Sequence, residues 1–369
     1  MKLEVKDNCP LNNFEPCKKF DCAWFIQVKG THPQTGQSFS NTPGASGAAG
    51  GFSRFGAPGQ PIHIHANGGG GGAGWAASTN APGGGSAGGR TQGSARDTGE
   101  LSTAPPTSPS SQDVTSTGGR SFQNPSGLPD AGPGGNCGAG GGGAGGLGGN
   151  SVSYMNGALR GGGPGGIGLR VPQFAAPLFQ SAIPGGNWSS FNTAVGPTGL
   201  YGGGGGGGGH TPGIAPTEGG LAGPGGGGAG GHYSSNEPTS GTGSNGVANT
   251  GGGGGAGGSN DVGAAHGGKG IVCVRYKTKS VERTSISVSN PSGTLVAPNP
   301  GGYEVRYFTS SGTFTVSNGT VTDAEVVVVG GGGASGFGGG GGGGVVHAYN
   351  VTLSPTGGPA NNGTYPVVI

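Results

Sequence analysis

Apolar and polar residues alternate with a period of two in a few short stretches of the chain, a pattern typical of half-buried β-strands. The stretch PIHIHA (61–66) shows this pattern first, and KGIVCVRYKT (269–278) shows it again. Similar stretches separated by turn residues follow between 284 and 329: TSISVSNPSGTLV, GGYEVRYFTSSGTFTVSNGT and AEVVVV. We therefore expect β-strands in these three regions.

The long region between residues 43 and 270 shows neither a strand period over most of its length nor a helix period. Glycine recurs there in dense blocks, and the segments between the blocks are rich in Ser, Thr and Pro or, at 167–201, in aromatic residues. The blocks lie at 68–72, 138–149, 161–166, 202–209, 223–231 and 251–258, and glycine returns at 330–344. Because Gly and Pro are the weakest helix formers, the sequence predicts no α-helix between 43 and 270.

Composition limits what such a chain can bury and bind. Of 369 residues, 99 are Gly and 28 are Pro, whereas 30% are hydrophobic and 9% are charged. An ordinary aliphatic core is therefore not expected along most of the length. The net charge is +2 and no block of Lys or Arg occurs, which disfavours nucleic acid as a partner. The longest aliphatic run, VVVV (326–329), is too short for membrane insertion, and the N-terminus lacks the apolar region of a secretory signal.

Two interpretations of the glycine blocks are open. In one, the blocks are flexible spacers. In the other, they form extended helices with three residues per turn, whose backbones approach and bond to one another because no Cβ atoms intervene. We favour the second, since the blocks adjoin strand-like sequence and are separated by loops of distinct composition. The expected fold class is mostly irregular plus β: a polyglycine-II-like helix bundle flanked by short β-strands, with no α-helical domain.

Shifts in composition divide the chain into four parts. Residues 1–42 contain cysteines, aromatics and charges but little glycine, and we interpret them as an N-terminal anchoring module. Residues 43–270 are expected to form the glycine-rich body with projecting loops, and 271–329 a β-strand segment. Residues 330–369 resemble the opening of a second glycine-rich unit that is incomplete.

Two stretches resemble glycine-rich tail-fibre and other virion proteins of tailed bacteriophages, especially marine phages and cyanophages. They are GTGSNGVANTGGGGGAGGSNDVGAAHGGKGIVCVRYKT (241–278) and YFTSSGTFTVSNGTVTDAEVVVVGGGGASG (307–336). The N-terminal DNCPLNNFEPCKKFDCAWF (7–25) resembles small uncharacterised proteins of similar phages. The resemblance implies a protein of the virion that is made in the host cytoplasm.

The function expected from this resemblance is that of a tail fibre or fibre-like structural protein, an adhesin whose loops contact a host surface glycan or outer-membrane protein. Residues 1–42 would bind other virion proteins, and a homotrimer is expected because fibres are usually threefold. One alternative is a capsid, neck or tail decoration protein with no receptor role. A second is a cellular glycine-rich matrix protein. No paired acids or nucleophile motif favours an enzyme.

Two groups of residues are candidate metal ligands. Cys9, Cys17 and Cys22 cluster as thiolates do around zinc or an iron–sulfur centre, although their spacing matches no standard motif. The alternatives are small apolar residues of a compact module, or one disulfide formed after release. His63 and His65 form His-x-His on an expected strand, where alternate residues share a face, so an oligomer could gather several imidazoles around iron or zinc. The alternative is a solvated strand face.

Several aromatic residues lie in or beside the loops between glycine blocks. Exposed rings suit recognition of sugars or proteins because they bring much contact area with few rotatable bonds. The alternative is that the rings shield the ends of the glycine bundle from water. The candidate receptor-contact residues are Phe174, Phe179, Trp188, Phe191, Tyr201, His210 and Tyr233.

Overall fold

The computed structural model describes most of the chain from residue 47 onward and two short strands before it. The described residues are 29–31, 38–40, 47–74, 85–89, 119–122, 124–129, 136–153, 160–180, 183, 185–211, 218–234, 241–258, 265–277, 286–288, 294–299, 302–317, 319–358 and 362–369. Within them the chain is mostly strand and irregular structure, with short helices only and no α-helical domain.

The strands assemble into two large sheets and several small ones. Their bounds are β1 (Lys29–Thr31), β2 (Ser38–Ser40), β3 (Ser53–Gly56), β4 (His63–Ala66), β5 (Gly119–Phe122), β6 (Asn136–Cys137), β7 (Val152–Ser153), β8 (Arg160–Gly161), β9 (Leu169–Arg170), β10 (Leu200–Tyr201), β11 (Gly209–Thr211), β12 (His232–Ser234), β13 (Ile271–Lys277), β14 (Ile286–Val288), β15 (Thr294–Asn299), β16 (Tyr303–Phe308), β17 (Gly312–Val316), β18 (Val321–Val329), β19 (Val345–Leu353) and β20 (Thr364–Val368). The six-stranded sheet has the order β15-β16-β13-β18-β19-β5, and the five-stranded sheet has the order β14-β17-β20-β3-β4.

These two sheets form a β-sandwich around the main hydrophobic core. Ile64 and Phe55 reach this core from the five-stranded sheet, and Val274 reaches it from the six-stranded sheet. Phe55 stacks on Tyr365 with ring centroids 5.8 Å apart. The strands predicted from the alternating pattern at 61–66, 269–278 and 284–329 are confirmed.

The six-stranded sheet is buried on both faces, which explains why its central strands read as continuous apolar runs. Along β18, Val326 and Val328 point into the sandwich core. Val327 and Val329 point the other way, into a second core. The second core lies between this sheet and residues 169–201, which form a cap over it.

The cap contains a helix that the sequence did not predict. Helix α1 spans Gly185–Val195 and is preceded by 3-10 helices at Pro172–Phe174 and Ala176–Phe179. Its eleven residues contain no proline, and Gly196 follows with a φ of 60°, the conformation that commonly ends a helix. Burial of Phe191 and Val195 outweighs the low helix propensity of this stretch. Among the described residues no helix is long and apolar enough to span a bilayer.

The glycine segments run side by side and bond to one another through their backbones. In 339–344, successive N–H groups donate to three different segments in rotation, so that every third residue returns to the same partner segment. The bonds run from Gly339 to Ala139, Gly340 to Gly254, Gly341 to Gly70, Gly342 to Gly142, Gly343 to Gly251 and Gly344 to Asn67, with N···O distances of 2.8–3.1 Å.

The longest glycine run, 202–209, follows the same rule. Its residues 203, 206 and 209 donate to carbonyl groups of 225–231, while 204 and 207 donate to 163–166. Some partners run parallel to it and others antiparallel, as the rising or falling acceptor numbers indicate. This three-residue rotation differs from a sheet, in which bonds point in only two directions.

Tracing these bonds groups the segments into four nested layers, which we call the glycine lattice. The first layer contains 47–51, 330–335 and 265–270; the second 67–74, 338–344, 251–258 and 241–247; the third 85–89, 138–144, 202–209 and 227–231; and the fourth 124–128, 148–151, 162–168 and 218–223. The end next to the sandwich, at Asn67, Gly330 and Gly344, is called the proximal end, and the opposite end is the distal end.

The division into consecutive parts expected from composition needs correction. Residues 330–344 do not begin a second glycine-rich unit, because they bond to segments on all sides in the middle of the single lattice. Strands β19 and β20 then complete the two sheets of the sandwich. Strands β3, β4 and β5 come from the region expected to be glycine-rich body, so the sandwich and the lattice are interleaved along the chain.

Candidate functional site

The distal end of the lattice is where the chain repeatedly turns back. Strand β11 lies there between β6 and β12, and β7 pairs with β8 beside a bridge from Gly161 to Glu218. The N–H of Gly258 donates to the Gly241 carbonyl at 3.3 Å, and that of Gly208 to the Phe337 carbonyl at 3.1 Å. The ends of many segments therefore form one continuous hydrogen-bonded platform.

The described segments on either side of residues 130–135, 154–159, 212–217, 235–240 and 259–264 end at this platform, and those residues themselves lie outside the described residues. The described ends are held in the small strands and bonds of the platform. By contrast, the proximal turns at 145–147, 224–226 and 248–251 are short and fully described.

Glycine is required along the segments behind the platform. A methyl group added at Gly207 would overlap the carbonyl oxygen of Gly138, and one added at Gly230 would overlap that of Gly207. The platform therefore stands on backbones packed so closely that no side chain fits between them.

A few side chains stabilise the platform. Ser335 is buried; its hydroxyl donates to the Gly255 carbonyl at 2.7 Å and accepts from the Ala265 N–H at 2.8 Å. Phe337 contacts the His210 ring edge-on at 6.5 Å between centroids. Burial lowers the pKa of the half-buried His210, so its neutral form is favoured. The described chemistry of this end is thus largely neutral and hydrogen-bonding.

The structure corrects the interpretation of four candidate receptor-contact aromatics. The side chains of Phe174, Phe179, Phe191 and Tyr201 are fully buried in the second core, between the cap and the six-stranded sheet. Phe179 contacts Phe191 and Tyr307 edge-on at 5.8 and 5.7 Å. These four side chains cannot contact a receptor, because they pack against the apolar face of the six-stranded sheet. Composition alone did not predict that face.

The other three candidate aromatic positions are placed differently. Trp188 is partly buried and packs against the same core from helix α1. His210 lies on β11 at the distal end, and Tyr233 lies opposite it on β12, where only its backbone is described. These two are the candidates that the structure brings to the platform.

The predicted shared face of His63 and His65 is confirmed. Both lie on the edge strand β4, half-buried, with ring centroids 5.9 Å apart, while Ile64 points into the sandwich. His65 stacks on Phe52 at 5.0 Å and its Nε2 lies 2.9 Å from the Asn67 amide oxygen. Among the described residues no three His, Cys, Asp or Glu side chains form a metal-binding group. Cys9, Cys17 and Cys22 lie outside the described residues.

A charged cluster that sequence reasoning missed lies on the six-stranded sheet, next to the second core. The Arg275 guanidinium donates to Glu325 Oε1 at 2.8 Å, and His347 Nε2 lies 3.2 Å from Glu325 Oε2. The bond from His347 chiefly holds the pKa of Glu325 below its usual value, with Arg275 assisting and burial opposing. Arg275 also lies over the Tyr303 ring at 3.8 Å. Alternate residues of a strand share a face. The charged residues at odd-numbered positions of β13 and β18 are therefore the sequence pattern that could have predicted this cluster.

A groove of about 620 Å³ lies at the proximal end, between helix α1 and the turn at 224–226. Its described lining consists of hydroxyl-bearing and small apolar residues, including Ser190, Thr193 and Val247, and no charged side chain. It can hold a small neutral group, but its lining supplies no acid or base.

No family model, no curated protein and no solved structure matches the chain. The resemblance of 241–278 and 307–336 to phage virion proteins therefore stays a prediction from those residues. The geometry of the distal end is the strongest structural indication of function.

Proposed function

We propose that this chain is a structural, non-catalytic virion protein of a tailed bacteriophage, a fibre or fibre-like component that presents loops for adhesion to a host surface. The observation that carries the proposal is the distal platform, the end of the lattice where β6, β11 and β12 pair and many described segments end together. Loops positioned by a rigid scaffold are where recognition residues concentrate in proteins. The resemblance of two stretches to glycine-rich phage proteins favours the same class.

The scaffold of this adhesin is a polyglycine-II-like helix bundle. The three-residue rotation of the bonds in 339–344 supports this assignment, because a helix with three residues per turn points successive N–H groups 120° apart. The overlap that any Cβ would cause, for example between Gly207 and Gly138, supports it further. Such a bundle needs no aliphatic core, which accounts for the composition of the chain.

The partners follow from this role. Residues 1–42 bind other virion proteins and place the molecule in the virion. The distal loops bind a host surface glycan or outer-membrane protein, using hydroxyl, amide and aromatic groups such as those near His210 and Tyr233. The chain acts as a homo-oligomer without inserting into a membrane.

Gold-labelled antibodies raised against residues 90–136 test the location on intact virions. Label at the distal tips of fibres is the expected result. Label on the head, neck or tail tube would refute the adhesin role and favour a decoration protein, and absence of label from every virion would refute the virion assignment.

A loop exchange tests adhesion itself. Residues 212–217 and 235–240 are replaced by Gly/Ser sequences of equal length, which leaves the lattice unchanged. We expect the fluorescently labelled protein to lose binding to host cells. The control Tyr349→Ser changes an exposed ring on β19, far from the distal end, and should bind as the wild type does. Unchanged binding by the loop variant would contradict the proposal.

A further inference from the structure

Exposed apolar side chains are concentrated on one outer face of the lattice. Seven large hydrophobic residues are exposed in the described chain, and five of them lie on or beside the fourth layer. We call this surface the layer-four face; it carries Leu128, Leu147, Val152, Ile167 and Leu221, with exposed fractions of 52, 64, 42, 45 and 76%. Exposed apolar side chains grouped along one layer mark an interaction site more often than isolated exposed residues do.

The layer-four face is made by a three-residue spacing of non-glycine residues. In 162–170, the exposed positions are Pro164, Ile167 and Arg170, while Gly163, Gly166 and Gly168 turn inward or sideways and bond within the lattice. In the adjacent segment, the same spacing exposes Glu218, Leu221 and Pro224. Pro164 and Pro224 have no N–H to donate. The exposed side chains of Ile167 and Leu221 prevent the backbone of another segment from approaching. A partner must therefore pack against side chains, since it cannot extend the lattice through backbone bonds.

The charges of the face are placed at its two ends. The described charged side chains are Glu218 and Arg170, and neither makes an ion pair within the described residues. The Gly162 N–H donates to the Glu218 carbonyl at 2.9 Å, so Glu218 lies level with residue 162. Arg170 lies eight residues further along that segment, about 25 Å away at ~3.1 Å per residue. Leu221 and Ile167 lie between the two levels.

We propose that the layer-four face binds the same face of a second copy of this chain, with the segments of the two copies antiparallel. A two-fold axis across the segments brings Arg170 of each copy to the level of Glu218 of the other and joins Ile167 and Leu221 of both copies at the centre. Parallel stacking would instead place like charges at the same level. The described side chains of this face, with one positive charge, one negative charge and an apolar centre, are self-complementary, as an isologous interface requires.

Sedimentation equilibrium tests this two-fold contact. We expect the wild-type chain to give the mass of a dimer, whereas a threefold fibre would give a trimer. Leu221→Lys should raise the dimer dissociation constant by about 100-fold or more, because it places two charges at the centre of the contact. The control Tyr349→Lys changes an exposed ring outside the face and should leave the constant unchanged. A monomeric wild type, a trimer, or an oligomer that Leu221→Lys leaves intact would overturn the proposal.

Charge reversal tests the antiparallel orientation. Arg170→Glu and Glu218→Arg should each weaken the dimer by about tenfold, since each change alters two symmetry-related pairs. The variant with both reversals restores opposite charges and should return to the wild-type constant. The substituted residues are all exposed, so we expect each variant to fold as the wild type does, and circular dichroism checks this. They are Arg170, Glu218, Leu221 and Tyr349. A double reversal that dimerises no better than the single ones would overturn the orientation.

Discussion

Adding a single methyl group in the middle of the glycine lattice should destabilise the fold strongly. Gly205 lies within the run 202–209, donates to the Gly340 carbonyl at 2.8 Å and accepts from the Gly141 N–H at 2.9 Å. In Gly205→Ala the new Cβ would overlap the carbonyl oxygen of Gly254, a backbone atom that no side-chain rotation can move away. The segment 251–258 must therefore separate from 202–209.

The size of the effect follows from the bonds that this separation strains. The two segments are joined by bonds from Gly253 to Gly203 and from Ala256 to Gly206, each 2.9 Å long and buried. A buried donor or acceptor left without a partner costs about 1–3 kcal/mol, and overpacking costs a similar amount. We expect the free energy of unfolding to fall by about 3–6 kcal/mol, a large share of the ~5–15 kcal/mol of a typical domain.

Denaturant and thermal unfolding followed by circular dichroism measure this loss. The matched control is Gly186→Ala, because Gly186 is exposed in helix α1 and a methyl group there meets nothing within 4 Å. The control should be neutral or up to ~1 kcal/mol more stable, since Ala favours the helix. For a chain of this size, Gly205→Ala should lower Tm by roughly 4–8 °C. A Tm equal to that of the wild type would refute the close packing of the segments.

Three further predictions concern the second core and its border. Phe179→Ala should cost about 3–5 kcal/mol in urea unfolding, because a fully buried ring between Phe191 and Tyr307 is removed; a cost below ~1 kcal/mol would contradict this burial. In the folded chain the pKa of the Glu325 carboxyl lies below its ordinary value of 4.5. Ionised Glu325 therefore stabilises the fold above pH 4.5, and this contribution is lost as the pH falls through the lower pKa of the folded state. Glu325→Gln should therefore differ most from the wild type near neutral pH and converge with it in acid, as urea midpoints across that range would measure. Cys273 is buried and its pKa lies far above the usual range, so peptide mapping should find it unlabelled by a thiol reagent until the chain unfolds.

The strands of the sandwich were predictable because their alternation is local. The sequence did not predict strand β19, Val345–Leu353. This stretch follows a glycine run and was interpreted as part of a second glycine-rich unit. Pairing of β19 with β5, more than 200 residues earlier in the chain, carries no local signal at all. Sheet order was thus beyond prediction from the pattern alone.

The cap shows why the aromatic residues were misjudged. Composition indicates little apolar surface along 43–270, so exposure of Phe174 and Phe191 was a reasonable expectation. The apolar partners are Ile271, Val327 and Val345, which belong to strands far along the chain. Burial against them also stabilises helix α1 where intrinsic propensity disfavours it. By contrast, the outward three-residue spacing of Pro164, Ile167 and Arg170 was present in the sequence and could have identified the outer segments.

The three-residue rotation of the lattice has a consequence for register. Sliding a pure glycine segment by three residues along its axis re-forms the same backbone bonds with the next set of partners, so glycine alone does not distinguish one alignment from another. Sparse polar side chains remove this degeneracy. Asn124 donates from its amide to the Gly143 and Ala144 carbonyls at 2.8 and 3.0 Å, and the Ser244 hydroxyl accepts from the Ala229 N–H at 2.7 Å. Each such bond exists in only one alignment, so a handful of Asn and Ser residues selects a single folded state from a set of otherwise equivalent ones.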